Sequence, residues 1–298
     1  MVGVSGRTAG YLTRVVPWCG RALRNPAVGA HAALYAAVPQ SLWLTSTVLR
    51  RLFGVRILAI DDALDVFMPG VGWLTQGVEA GGAPAWQAAR MAVEAVVLDS
   101  YEAAAFLQPG MIAADIGANI GTFSVLASRL VGPRGRILAV EPVHSNYHSL
   151  CRALHLNALS NVTPLELALG HQVGTVRLSL SPDPSGHSAV LPHGERFLEV
   201  PMTTLDNLCV QEDVGRLDFV KIDVEGFEPE VLRGGRESIV RFRPVISAAA
   251  YHLPEHRELL PAMIHEMVPD YEIRVAAAAP GLEVHCLAVP RERASYRR

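Results

Sequence analysis

This chain has little lysine: of its 26 basic residues only Lys221 is not arginine. It has four cysteines, Cys19, Cys151, Cys209 and Cys286, with no C-x-x-C pair and no Cys/His zinc spacing. That excludes a disulfide scaffold and a zinc-ribbon module, and it suits reduced thiols in a cytosolic setting. Acidic residues are missing altogether from residues 1–60, which carry Arg7, Arg14, Arg21, Arg24, Arg50, Arg51 and Arg56. With a net charge of −3, the remainder must be strongly acidic. A basic leader on an acidic body is expected to dock on that body or on an anionic surface. No basic stripe interleaved with aromatics appears, so nucleic acid is not an expected partner. Long apolar runs are absent too. Between Arg24 and Arg50 there is no charge, but His31, Pro39, Gln40 and Ser41 interrupt the stretch and it is alanine-rich. The favoured reading is a helical cap or self-association face rather than a membrane span, with peripheral membrane contact through residues 1–60 as the alternative.

What is present suits a large buried core: half the residues are hydrophobic and 18% are charged. From residue 109 onward, PGMIAADIG, GRILAVEP, NVTPLELALG, LDFVKIDVEG and RPVISAAAYH (109–117, 135–142, 161–170, 217–226 and 243–252) are short apolar runs bounded by turn signals. Such runs predict parallel strands buried on both faces. Helical patterns over 122–131 and 144–157 fill the first gaps, which predicts right-handed βαβ units. Two further segments, 174–180 and 196–205, alternate like a hairpin, with a loop at 181–194. DYEIRVAAA and LEVHCLAV, joined at Pro280 and Gly281, predict a final antiparallel pair. The expected organisation is a basic, mainly helical extension over residues 1–90 and a doubly wound α/β domain over 91–298.

In open parallel sheets, ligands sit beyond the carboxyl ends of the strands. The first strand ends in DIGANIG. Gly117 permits a sharp turn, Gly121 a close approach of the following helix to the sheet, and the helix start offers N–H groups to an anion. The second strand ends in Glu141, twenty residues on, the place for a carboxylate that binds a ribose diol. A nicotinamide fingerprint needs a middle glycine where this loop has Asn119, and Asp115 stands two residues before the first glycine. Asp115 can hold an ammonium, so an amino acid joined to a ribose, S-adenosylmethionine, is the expected cofactor. A nicotinamide-dependent oxidoreductase, or a non-catalytic membrane-associated protein on the same fold, is the alternative.

DIGANIGTFSVLASRL, AVEP, LNALSNV, TTLDNL, DFVKIDVEGFEPEVLRGG and RPVISAAAYH together resemble the FkbM family of S-adenosylmethionine-dependent methyltransferases, over roughly residues 95–290. The resemblance implies the class I methyltransferase fold, a Rossmann-like seven-stranded sheet. It also implies methylation of a hydroxyl in a small-molecule or glycan acceptor, a sugar or polyketide-type product of secondary metabolism. Residues 1–90 match nothing in the family.

Lys221, Asp223 and Glu225 alternate onto one face at the strand end nearest the expected methyl donor. Asp223 is the first candidate for the acceptor site, as base or as metal ligand, and Glu225 the second. Lys221 pairs with these carboxylates or orients the acceptor oxygen. His252 follows the next strand and reaches the same rim; with the two carboxylates it could ligate Mg²⁺ or another divalent ion, though the spacing matches no metal signature. His187 lies in a loop that could fold over substrate. Glu228 and Glu230 read as helix N-terminal acids. Glu166 and Ala168, ending the third strand, are expected to flank the adenine. Tyr101 and Glu102 resemble the family's element that closes over the cofactor.

Overall fold

The structure is a computed structural model that describes residues 56–60, 63–68, 71–77, 101–181, 187–191, 196–277 and 283–296. The expected parallel core is there. Strands β1 (Arg56–Ile60), β2 (Ala63–Met68) and β3 (Gly72–Gly77) precede it, followed by a short helix α1 (Ala103–Phe106). Then come β4 (Ile112–Ile116), α2 (Thr122–Val131), β5 (Arg136–Val140), α3 (His144–Leu156) and β6 (Val162–Leu165). A small insertion holds β7 (Ala168–Leu169), β8 (Gly174–Ser179), β9 (Phe197–Thr203) and α4 (Leu205–Gln211). The chain returns through β10 (Phe219–Ile222), α5 (Glu228–Gly234), α6 (Arg236–Phe242), β11 (Val245–Ala249) and α7 (His256–Met267). It ends in β12 (Tyr271–Ala277) and β13 (Val284–Pro290).

The main sheet has the order β12-β13-β11-β10-β4-β5-β6, with only β13 running against its neighbours. This is the seven-stranded class I methyltransferase arrangement, and the order reverses between β4 and β10. Alternation along the strands feeds two cores. Ala113, Ile137, Phe219 and Val245 face one, with Phe123 and Leu150; Ala114, Leu138, Val220 and Ile246 face the other, with Leu232 and Ile264. Every residue of β11, and all but the first of β4 and β5, is buried, which is why these strands read as unbroken apolar runs.

Two expectations change. The run 161–170 is not one strand. β6 is the edge of the main sheet, where Pro164 costs no ladder bond to a further neighbour. After Leu165 the chain leaves, and β7 pairs with β9 in a second sheet of order β7-β9-β8. Within the segment expected to be mainly helical, the described residues 56–60, 63–68 and 72–77 are strands: β1, β2 and β3 form an antiparallel sheet. Asp65 and Thr75 pair across β2 and β3, with the Thr75 hydroxyl donating to Asp65 at 2.8 Å, beside the Val66–Leu74 pair, and all four residues are buried. That sheet docks on α3, where the Arg152 guanidinium forks onto buried Asp65 at 2.8 and 2.6 Å. The expectations for residues 1–55, including the basic leader and its membrane contact, lie outside the described residues. Among the described residues no helix is long and apolar enough to cross a membrane, and Cys151, Cys209 and Cys286 are free thiols.

Candidate functional site

The site forms at the switch point, from the turn after β4 and the segment after β10. Gly117 has φ 78°, and a Cβ there would lie 1.9 Å from the Asp223 carbonyl oxygen. Only glycine lets the two segments touch, so the glycine-rich turn and the acidic segment share one wall. Gly121, at φ 88°, makes its close approach to Leu150 of α3 and not to the sheet: a Cβ would sit 2.6 Å from Leu150 Cδ1.

Glu141 is buried just beyond β5. It accepts the Asn119 N–H and the Val143 N–H, each at 2.9 Å. Burial pushes its pKa up to about 7, against the pull of these donors. Oε1 also takes a long contact from the Asn146 amide at 3.5 Å, while Oε2 keeps a second lone pair. Beside it, Asn119 Oδ1 and Thr122 Oγ1 are buried without a hydrogen-bond partner among the described residues. Orphaned polar atoms beside a glycine turn and a helix start fit a polar ligand that supplies the missing partners. A ligand carrying ribose hydroxyls and an amino-acid group matches that chemistry.

Asp115 is fully buried, and the ammonium it holds here belongs to the chain. Lys221 Nζ lies 3.1 Å from Asp115 Oδ1 and donates to the Gly117 carbonyl at 2.5 Å, while Ser124 donates to Asp115 Oδ2 at 2.6 Å. Lys221 therefore does not pair with Asp223 or Glu225 as expected; the register of β10 against β4 sets it opposite Asp115. Glu166 turns outward to His144 at 2.7 Å. Ala168 belongs to β7 and packs among Val143, Val200 and Met202 in the core of the second sheet.

Asp223, Glu225 and His252 do come together, with donor atoms all within 4.8 Å of one another. Tyr101 and Tyr251 both donate to Asp223, at 2.8 and 3.1 Å. Tyr101 thus serves the acidic cluster, and Glu102 pairs away with Arg274. Burial pushes the Glu225 pKa up, with Asp223 and Glu228 adding to it and His252 opposing. Glu225 stands in the left-handed region, φ 54°, a strained position for a side-chain-bearing residue.

Two residues of the cluster are not placed there by sequence reasoning. Tyr251 is one, and its signal was only adjacency to His252. Glu228 is the other: it is fully buried, faces His252 Nδ1 at 3.0 Å and His256 Nδ1 at 3.1 Å, and accepts the Val224 and Gly226 N–H groups. Burial opposes its ionisation, but the two histidines outweigh that and hold its pKa at about 2. His187 accepts the N–H of Ser181 within its own loop. Its neighbour Ser188 donates to the Glu225 carbonyl at 2.5 Å and lines a cleft of about 350 Å³ with Arg177, Ser179, Val190, Leu191 and Phe197.

A class I methyltransferase sheet with polar groups gathered at its switch point defines the class of protein. The methyltransferase FkbM domain family matches residues 115–272, more than half of the 298 residues, and the chain belongs to that family. Methyltransferase sdnD of Sordaria araneosa is 34% identical, over 40% of this chain and 58% of that protein. The hexuronic acid methyltransferase AglP of Haloferax volcanii is 30% identical, over 40% of this chain and 48% of its own. The chain thus spans about half the length of these curated relatives. A solved methyltransferase FkbM from Methylobacillus flagellatus KT is 19% identical with a TM-score of 0.47, covering 70% of this chain and 55% of that one. These matches do not favour an oxidoreductase or a non-catalytic scaffold.

Proposed function

We propose that the chain is an S-adenosylmethionine-dependent methyltransferase that methylates a hydroxyl oxygen of a sugar or polyketide-type natural product. The observation that carries the reading is the contact of Gly117 with the Asp223 carbonyl, which joins a cofactor-type turn to a cluster of acids. Glu141 would hold the ribose hydroxyls, and Asn119 and Thr122 would meet the other polar groups of the cofactor. When bound, S-adenosylmethionine supplies a methyl group on a sulfonium that departs as a neutral thioether.

The chain's own residues position the acceptor and take its proton. A hydroxyl is a poor nucleophile until a base within hydrogen-bond reach removes that proton. Asp223 is occupied by two tyrosine hydroxyls, which favours it as an anchor. Burial raises the Glu225 pKa above the ordinary carboxylate value, the direction that makes it a stronger base. His252 faces both carboxylates, 3.5 Å from Asp223 and 3.3 Å from Glu225. The cleft beside the Glu225–Gly226 turn is the acceptor pocket we favour, since the Arg177 guanidinium, stacked 3.8 Å over the Phe197 ring, gives it a cation against an apolar wall. An acidic sugar suits that lining, and a relative named as a hexuronic acid methyltransferase supports it.

Calorimetric titration tests the cofactor. Glu141→Ala should weaken S-adenosylmethionine binding by about 1.5–3 kcal/mol, the loss of a charged hydrogen bond. Because the free Glu141 pKa is raised to about 7 and ribose hydroxyls donate to the anion, wild-type affinity should rise with pH through that value. Glu141→Gln should flatten the rise. A screen of uronic acids, neutral sugars and polyketide alcohols with methyl-labelled cofactor tests the chemistry. Glu225→Gln should cut turnover by roughly 10²–10⁴-fold with cofactor affinity kept within a few-fold. NAD binding in place of S-adenosylmethionine, or unchanged turnover in Glu225→Gln, overturns the corresponding part.

A further inference from the structure

Asp223, Glu225 and His252 stand on separate pieces of backbone, yet each points one donor atom at the same small volume. Two carboxylates alone would be a solvated acidic rim. The histidine makes the difference. Its side chain is only 4% exposed, and its Nε2 is buried without a hydrogen-bond partner among the described residues. On its far side, Nδ1 lies 3.0 Å from Glu228 Oε1. That carboxylate oxygen already accepts two backbone N–H groups, from Val224 and Gly226, and an anion can only accept. The proton of the neutral ring must therefore sit on Nδ1, which leaves a lone pair on Nε2. That lone pair faces Asp223 Oδ1 at 3.5 Å and Glu225 Oε2 at 3.3 Å, two further acceptors. Three acceptors turned toward one another take a positive charge between them: a second proton on Nε2, since burial lowers the His252 pKa but Glu225, Glu228 and Asp223 raise it to about 10, or a metal ion that displaces that proton.

We propose that this charge is a divalent first-row transition ion, held by His252 Nε2, Asp223 Oδ1 and Glu225 Oε2. The spacing agrees. Ligands at about 2.1 Å from one ion lie roughly 3.0 Å apart in an octahedral site and roughly 3.4 Å apart in a tetrahedral one. The surroundings agree as well. A metal-bound histidine commonly gives its other N–H to a carboxylate, which fixes the tautomer and the ring. Glu228 stands in that position, and His256 holds the second oxygen of Glu228 at 3.1 Å. Tyr101 and Tyr251 orient Asp223 in the same manner. An imidazole with two carboxylates favours Mn²⁺, Fe²⁺, Co²⁺ or Zn²⁺ over the all-oxygen preference of Mg²⁺ and Ca²⁺. Three protein ligands leave positions open, as in a site that works on substrate.

The role of the ion, though not its binding, rests on the transferase reading above. An acceptor hydroxyl bound to the ion ionises more readily. Its proton passes to Glu225 Oε1, the oxygen that does not ligate. The acceptor oxygen then forms its bond to the methyl carbon as the carbon–sulfur bond breaks and its electron pair goes to sulfur.

The test uses the full chain, stripped with chelator and titrated with Mn²⁺, followed by electron paramagnetic resonance and by thermal melting. Wild type should bind a single Mn²⁺ and melt at a higher temperature with it, and excess Mg²⁺ or Ca²⁺ should not displace it. Glu225→Gln and His252→Ala should each weaken binding by about tenfold or more. Glu225 is part-exposed on a turn, so Glu225→Gln should keep the metal-free melting temperature and remain informative if His252→Ala fails to fold. Absence of saturable binding at millimolar Mn²⁺, or equal affinity in wild type and Glu225→Gln, overturns the site and leaves a protonated His252 as the central charge. Titrating the same samples with S-adenosylmethionine separates the two readings. Cofactor binding without Mn²⁺ binding removes only the metal, and Mn²⁺ binding without cofactor binding removes only the transferase.

Discussion

The ammonium of Lys221 is enclosed by acceptors that the chain itself supplies: Asp115 Oδ1 and the carbonyls of Gly117 and Ile116. Burial works against its charge, but Asp115, Asp223 and Glu141 outweigh burial and hold its pKa above the ordinary lysine value. A compact ammonium fits between adjacent strands where a planar guanidinium fork needs more room, which accounts for one lysine in a chain of arginines. Removing one partner of a buried pair leaves the other charge uncompensated, at about 3–5 kcal/mol. Lys221→Met should therefore lower unfolding stability by about that much in urea titration. The double variant Lys221→Met, Asp115→Asn should recover part of the loss, because both charges are then gone. Additive losses in the cycle would show that the pair is not coupled. Alternation along the strand was legible in the sequence and put Lys221 on one face with Asp223 and Glu225, the carboxylates expected to pair with it, whereas its partner is Asp115. That partner was not legible, because the choice depends on the register of β10 against β4, set by contacts more than a hundred residues apart.

At the scale of elements, the same division holds. The strands β4, β5, β10 and β11 are buried on both faces, so their composition announces them, and the hairpin β8–β9 shows in its alternation. The strands β1 to β3 are short, and their signal is hidden behind a leader whose composition favours helix. Glu228 was hidden differently. An acid opening a helix has an ordinary reading, stabilisation by the helix dipole, and nothing local tells that two histidines converge on it from the far side of β11. What fixes the small sheet is Asn157 at the end of α3. Its side-chain amide accepts the Trp73 N–H at 3.0 Å and donates to the Trp73 carbonyl at 2.7 Å, pairing with β3 as a neighbouring strand would. Asn157→Ala leaves both groups without a partner, at about 1–3 kcal/mol. Limited proteolysis should then cut within residues 56–77 faster than in wild type, while the melting of the main domain changes little. Equal cleavage rates would mean that Arg152 and Asp65 suffice to hold the sheet.

At the scale of the whole molecule the charge is divided: residues 1–60 carry seven arginines and no acid, and the rest is acidic. Such a division has two physical uses, and they respond oppositely to the same change. If the arginines meet an anionic membrane surface, each contributes about 1 kcal/mol near that surface, and the attraction falls within a Debye length. Replacing Arg7, Arg14, Arg21 and Arg24 by glutamine should then lower the affinity of the full chain for phosphatidylserine vesicles by about 4 kcal/mol at low salt. Added salt should erase the difference, and the melting temperature should stay as it was. If the leader instead clasps the acidic body, wild type should ignore the vesicles and the substituted chain should melt earlier. Vesicle co-sedimentation and thermal melting of the same two proteins decide between them, because a charge neutralised by the body is not available to a membrane.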